Sequence, residues 1–151
     1  MSNKTSAVVK TNPRKAVMIG CGFVGSASVF ALMQSGLFSE IVLIDADKDK
    51  AEGEAMDISH GIPFARPMKI YAGGYDDVAD AAIIVVSAGA GQKPGETRLD
   101  LVNKNVAIFK SIFQDFLRSV SSVQVPCLTV QDLSTRLESI LRWTAEAYMH
   151  L

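Results

Sequence analysis

Gly20-Cys21-Gly22-Phe23-Val24-Gly25 is the stretch on which the reading of this chain turns. A short apolar run, Lys15 to Ile19, leads into it, and a run of helical length, Gly22 to Ser35, leaves it and stops at Gly36. Three glycines at this spacing do three jobs where a strand hands over to a helix. Gly20 allows a tight turn, Gly22 lets backbone approach a pyrophosphate, and Gly25 lets helix and strand pack closely. Phosphates then face the free amides of a helix N-terminus, the turn that contains Phe23 and Val24. Glycines also cluster in ordinary turns, so the spacing alone is a weak signal. Context strengthens it. Asp45 closes the next apolar run, Ile41-Val42-Leu43-Ile44, twenty positions after Gly25. A carboxylate there can accept hydrogen bonds from the hydroxyls of an adenosine ribose and would repel a 2′-phosphate, so NAD is favoured over NADP.

Outward from that turn the chain alternates strand and helix. Ile41 to Ile44 reads as a buried parallel strand. Lys48 to Ser59 reads as a helix with Ala51, Ala55, Met56 and Ile58 inward, ended by Gly61-Ile62-Pro63. Lys69 to Tyr71 is a short strand, Gly73-Gly74 a turn, and Ala82 to Val86 a β-branched strand. Ser87 to Glu96 holds three glycines and a proline and is expected to be a loop; Leu99 to Phe116 resumes helical spacing. Short connections between alternating elements imply parallel strands with right-handed crossovers.

Composition excludes several classes. At 151 residues, 48% apolar and 21% charged, the chain is an ordinary soluble one-domain protein in its proportions. A net charge of −1 gives no reason to expect nucleic acid or an anionic membrane as partner. Cys21 and Cys127 are too few for a disulfide framework and fit no metal spacing, so no metal is expected and a reducing cytoplasm is the default. No signal peptide or membrane-spanning run is read, and residues 1–13 are expected to be a flexible arm.

The loop Ser87-Ala88-Gly89-Ala90-Gly91-Gln92-Lys93-Pro94-Gly95-Glu96-Thr97-Arg98-Leu99 is the more specific signal. Together with the glycine turn, Asp45, Asp57-Ile58-Ser59-His60-Gly61 and Leu101-Val102-Asn103-Lys104-Asn105-Val106, it closely resembles the N-terminal half of NAD-dependent L-lactate dehydrogenases, in the lactate/malate dehydrogenase family, from about Arg14 to Ser111. The resemblance implies a doubly wound, Rossmann-type α/β domain over residues 14–117, here truncated to a parallel sheet of order 3-2-1-4 with an atypical tail. It implies NAD as cofactor, with Gly20, Gly22, Phe23, Val24, Gly25, Asp45, Ala88 and Gly89 around it. It implies pyruvate or lactate as the small-molecule substrate and a homo-oligomer for full-length members. By the same resemblance Arg98 polarises the substrate carbonyl, where negative charge grows in the transition state. Gln92 reads the substrate side chain; malate enzymes carry arginine there to pair with a second carboxylate, so lactate is favoured. Gly91 and Gly95 give the loop freedom to close. His60 and His150 match no catalytic position.

The family's proton-donating histidine, its aspartate partner and the arginine that grips the substrate carboxylate have no counterpart in the chain. General acid–base help is worth about 10²–10⁴ in rate, so no useful turnover is expected from this chain alone. Residues 118–151 differ in texture: Ser119 to Ser122 and Pro126 are expected to break any helix, Val120 to Val130 alternates in the manner of a strand that would cover the sheet edge, and 132–151 has an amphipathic, helix-like pattern. Written as TCG GTT CAG GTA CCG TGC TTG ACA, Ser122 to Thr129 regroups from its third base to Gly-Ser-Gly-Thr-Val-Leu-Asp, which resembles the family's segment after its sixth strand. Trp143-Thr144 can only give Asp in that phase and Met149-His150 only Ala, again as the family has it. The tail is therefore expected to be dehydrogenase coding sequence read out of frame, with a genuine divergent extension or a sequencing error as the alternatives. Two further readings stay open: one half of a split dehydrogenase completed by another polypeptide, and a non-catalytic NAD-binding or interaction module whose tail docks a partner.

Overall fold

The computed structural model describes residues 11–120. Those residues fall into two compact units, one ending at Gly89 and the other beginning at Ala90. The first holds four strands: β1 (Asn12–Ile19), β2 (Glu40–Ile44), β3 (Lys69–Ala72) and β4 (Ala81–Val86). They form one parallel sheet in the order β3-β2-β1-β4, as the alternation of elements predicts. Val17 lies beside Val42 on one side and Ile84 on the other, so the strand whose last five residues are not exposed is central.

Helices α1 (Phe23–Ser35) and α2 (Lys48–Ser59) form the crossovers. Gly36 ends α1 at a φ of 63°, a left-handed conformation that favours glycine. Asp47 caps α2 by accepting the Lys50 amide at 3.2 Å. Both helices contribute to one core with the sheet: Val29 and Met33 from α1 and Ala51, Ala55 and Ile58 from α2 meet Met18, Ile41 and Leu43. Short 3₁₀ turns, Ile62–Phe64 and Tyr75–Val78, flank β3 and were not predicted.

Three expectations are corrected. Residues 12 and 13 belong to β1 rather than to an arm; the Asn12 amide bonds Asp80 O at 2.7 Å, and a register shift before Ala16 accommodates Pro13. Met56 is 65% exposed and is not inward, because α2 turns only its Ala51, Ala55 and Ile58 stripe to the core. The last helix, α3 (Arg98–Val120), continues beyond Phe116 through Ser119 to Val120. The Ser119 hydroxyl donates to the Phe116 carbonyl at 3.0 Å, so a serine expected to break the helix is accommodated by bonding back to the preceding turn. The arm over residues 1–10, the alternating stretch after Val120, Cys127 and the amphipathic segment 132–151 lie outside the described residues.

Candidate functional site

The glycine turn sits where β1 ends and α1 begins. Gly20 has a φ of 99°, and a Cβ on it would lie 2.5 Å from the Ala88 amide nitrogen. Both facts demand glycine, the first by backbone conformation and the second by space. A Cβ on Gly25 would overlap the Gly20 carbonyl oxygen and approach Ser87 Oγ at 2.7 Å, so the helix lies directly against the strand end. Gly22 is different. It is the N-cap of α1, extended at φ −76°, and a Cβ on it would meet nothing within 4 Å. Space is open above this backbone while the glycines on either side are shut in. That is the arrangement expected where a ligand, not protein, is to come close.

What faces that space is a helix end with unspent donors. No side chain caps α1, its first turn carries no acid, and the first intrahelical bond there is from the Ser26 amide to the Gly22 carbonyl at 2.9 Å. The amides of the preceding turn, Phe23 and Val24 among them, have no intrahelical partner and present the positive end of the helix dipole. The Phe23 side chain is fully exposed and Val24 nearly so. Asp45, one residue beyond β2, stands beside the turn: Oδ2 accepts the Cys21 amide at 2.6 Å and Oδ1 the Asp47 amide at 3.1 Å. An ionised carboxylate has about four acceptor sites, so both oxygens keep capacity for hydroxyl donors. Cys21 is buried, and its thiol is pushed up to about 11 by that burial first and by the neighbouring Asp45 carboxylate next. It is a packing residue.

Ser87 was not singled out from the sequence. Its amide bonds the Ile19 carbonyl at 2.8 Å and its hydroxyl donates to the Gly20 carbonyl at 2.9 Å, tying the end of β4 to the turn. The signal was available, since a small hydroxyl residue directly follows a strand that must lie beside β1. Ala88 is the residue against which Gly20 is pressed, and Gly89 is exposed just beyond it. The structure thus brings Gly20, Gly22, Gly25, Asp45 and Ala88 to one end of the sheet, at the carboxyl ends of parallel strands, where open α/β sheets bind ligands.

Gln92 and Arg98 belong to the second unit. Lys93-Pro94-Gly95-Glu96 is a tight turn closed by the Glu96 amide on the Lys93 carbonyl at 3.0 Å, with Gly95 at a φ of 82°. Proline second and glycine third is the sequence of a type II turn. Gly95 therefore fixes a turn where the sequence alone suggested only freedom of movement. Gln92 Nε2 donates to the Glu96 carbonyl at 2.8 Å. Thr97 and Asp100 make a capping box at the start of α3: the Asp100 amide donates to Thr97 Oγ1 and the Thr97 amide to Asp100 Oδ2, both at 3.2 Å. These bonds to Thr97, from its hydroxyl first, hold the Asp100 carboxyl below its usual range. Arg98 is the first residue of α3, exposed and without an ion pair among the described residues.

Fold and turn together define a class: a doubly wound α/β domain built to receive a dinucleotide at the end of β1. Residues 14–130 match the profile of the lactate/malate dehydrogenase NAD binding domain, and the chain belongs to that family. Its cofactor is NAD, and the open space at Gly22 with the uncapped α1 terminus fits the pyrophosphate. The match runs past Ser111, where the resemblance read from motifs stops. The chain is 58% identical over 116 residues to an L-lactate dehydrogenase of Priestia megaterium, 77% of this chain and 36% of that protein. It is 60% identical over 104 residues to that of Thermoanaerobacterium saccharolyticum, 69% of this chain and 33% of that protein. Solved structures agree. A minor L-lactate dehydrogenase of Enterococcus mundtii superposes with a TM-score of 0.69 at 40% identity, covering 71% of this chain and 34% of that one. The malate dehydrogenase of Archaeoglobus fulgidus in complex with NADH gives 0.64 at 37%, covering 73% and 38%. The chain spans about a third of the length of these relatives. Among the described residues no helix is long and apolar enough to cross a membrane, and no acid, histidine and cysteine cluster could hold a metal ion.

Proposed function

We propose that this chain is the NAD-binding half of an L-lactate dehydrogenase, carrying the substrate loop as well. The observation that carries the reading is the contrast at the turn: Gly20 and Gly25 are crowded while Gly22 opens onto empty space at an uncapped helix terminus. Gly22, Phe23, Val24 and Gly25 would offer backbone to the pyrophosphate, with Gly20, Ala88 and Gly89 shaping the turn. Asp45 would accept the adenosine ribose hydroxyls. When bound, NAD supplies the hydride acceptor for lactate, or as NADH the donor for pyruvate. Arg98 would polarise the substrate carbonyl and Gln92 would contact the small methyl side chain. The exposed position of Arg98 at the start of α3 leaves its guanidinium available for that role.

A ketone also needs a proton when it receives hydride, and the 151 residues hold no histidine–aspartate pair in a matching motif. By itself the chain is predicted to bind NAD and not to reduce pyruvate. The test is binding and turnover on the same sample. NAD should bind more tightly than NADP, and Asp45→Ala should narrow that preference by about tenfold, the worth of hydrogen bonds to a charged acceptor. Absorbance of NADH should not fall when pyruvate is added. NADP binding as tight as NAD, or pyruvate-dependent loss of NADH, would overturn the reading. If loss occurs only with a co-expressed polypeptide bearing the acid histidine, the chain is one half of a split enzyme.

A further inference from the structure

We propose that Glu96 is the positioning residue of the loop, a latch that holds residues 90–97 folded and keeps Gln92 turned back upon it. The proposal rests on the reading of this segment as a substrate loop.

Glu96 bonds through its carboxylate, its carbonyl and its amide, and so ties the turn both to Gln92 and to α3. Its Oε2 accepts the Lys93 amide at 2.8 Å, and its Oε1 pairs with Lys104 Nζ at 3.0 Å, one turn into α3. Its carbonyl accepts Gln92 Nε2 at 2.8 Å, and its amide closes the Pro94-Gly95 turn. Residues 91–95 and 97–98 are exposed, yet the Glu96 side chain is only 17% exposed. A lone surface ion pair contributes little and would not fix a loop. Here the same carboxylate also holds a backbone amide, so the turn and the helix are joined through one side chain. The other nearby acid, Asp100, is already committed to Thr97. Gln92 lies four residues before Glu96 and Arg98 two residues after it, so the latch controls both. At rest the Gln92 amide donates to the loop's own backbone. A ligand read by Gln92 must first take the place of the Glu96 carbonyl.

The Lys93 amide first, and Lys104 with it, hold the Glu96 carboxyl below its usual range, while Asp100 pushes the other way. A carboxyl whose folded value is lowered stabilises its contacts above that value. The latch should therefore loosen as pH falls through the lowered range.

Amide hydrogen exchange and NMR of the nitrogen-labelled chain test this. Glu96→Gln should speed exchange at Lys93 by about tenfold, the loss of a charged-acceptor bond, and shift the Gln92 side-chain amide signals. The Ala90 amide, held separately by Asn105 Oδ1 at 2.7 Å, should not change, nor should Val42 in β2, which reports that the fold is intact. Lys104→Met should act in the same direction. Wild-type protection at Lys93 should drop in acid with a step absent from Glu96→Gln. Unchanged Lys93 exchange and Gln92 signals in both variants, or the same acid step in Glu96→Gln, would overturn the proposal. NAD titration of Glu96→Gln separates the two ideas: it should match wild type. Failure of both proteins to bind NAD would remove the functional reading, while the exchange result would still decide the latch.

Discussion

At the scale of single residues, the sequence shows most clearly where glycine is obligatory. Gly20 and Gly25 were legible because strand, turn, helix and Asp45 agree around them, and the structure supplies the reason in a backbone that a Cβ would strike. Lys15 was not legible. It opens an apolar run and reads as the edge of a strand, yet it is 4% exposed. Its ammonium meets Asp80 at 2.6 Å, with Glu40 at 3.8 Å and Asp77 at 4.0 Å, and Tyr71 donates to Glu40 at 2.7 Å. Those partners come from three different parts of the chain, and no local pattern could pair them. Burial, followed by the Glu40 and Asp77 bonds, pushes the Tyr71 hydroxyl upward. Removing the cation leaves three carboxylates facing one another. Asp80 and Asp77 are partly solvated, so the full cost of a broken buried pair is not expected. Lys15→Met should lower stability by about 1–3 kcal/mol, read from the urea midpoint. A midpoint equal to wild type would show that the cluster contributes nothing.

At the scale of elements, β4 is the revealing strand. Ala81-Ala82-Ile83-Ile84-Val85-Val86 has no charge, and among the described residues it pairs only with β1. Its apolar character predicted the strand and, in the order 3-2-1-4, its place at the margin. Ile83 is nonetheless 45% exposed. Exposed apolar edges of this kind template pairing with other chains. Ile83→Lys should keep the far-ultraviolet circular dichroism of wild type and reduce concentration-dependent light scattering. Scattering that does not fall would place self-association elsewhere. Helix α3 teaches the converse lesson. Its start was legible to within one residue, because the apolar spacing that resumes at Leu99 is a local signal, and the Thr97–Asp100 bonds explain the boundary there. Its end was not: Ser119 to Ser122 with Pro126 suggested a break, but helices tolerate serine where the hydroxyl returns to the preceding turn, as Ser119 does.

At the scale of the whole molecule, the glycine turn lies in the first unit and the segment from Ala90 to Arg98 in the second. The first was readable in outline because a dinucleotide turn is local and its partners, Asp45 and Ala88, follow strands. The internal bonding of the loop was not, since Gln92 and Glu96 reveal their pairing only once the turn is folded. The out-of-phase reading of residues 119–151 remains our proposal for the origin of the tail, and the family match to residue 130 overlaps its first part. Sequencing the coding DNA decides between them. The proposed function requires an NAD site at the junction of β1 and α1, with Gly22 as its open floor. Calorimetric titration of NAD into wild type and Gly22→Trp tests it most directly. A Cβ there meets nothing within 4 Å, so folding should be retained, which the circular dichroism of the variant checks. Wild type should show saturable binding and the variant none detectable; equal heats in the two would contradict an NAD site at this turn.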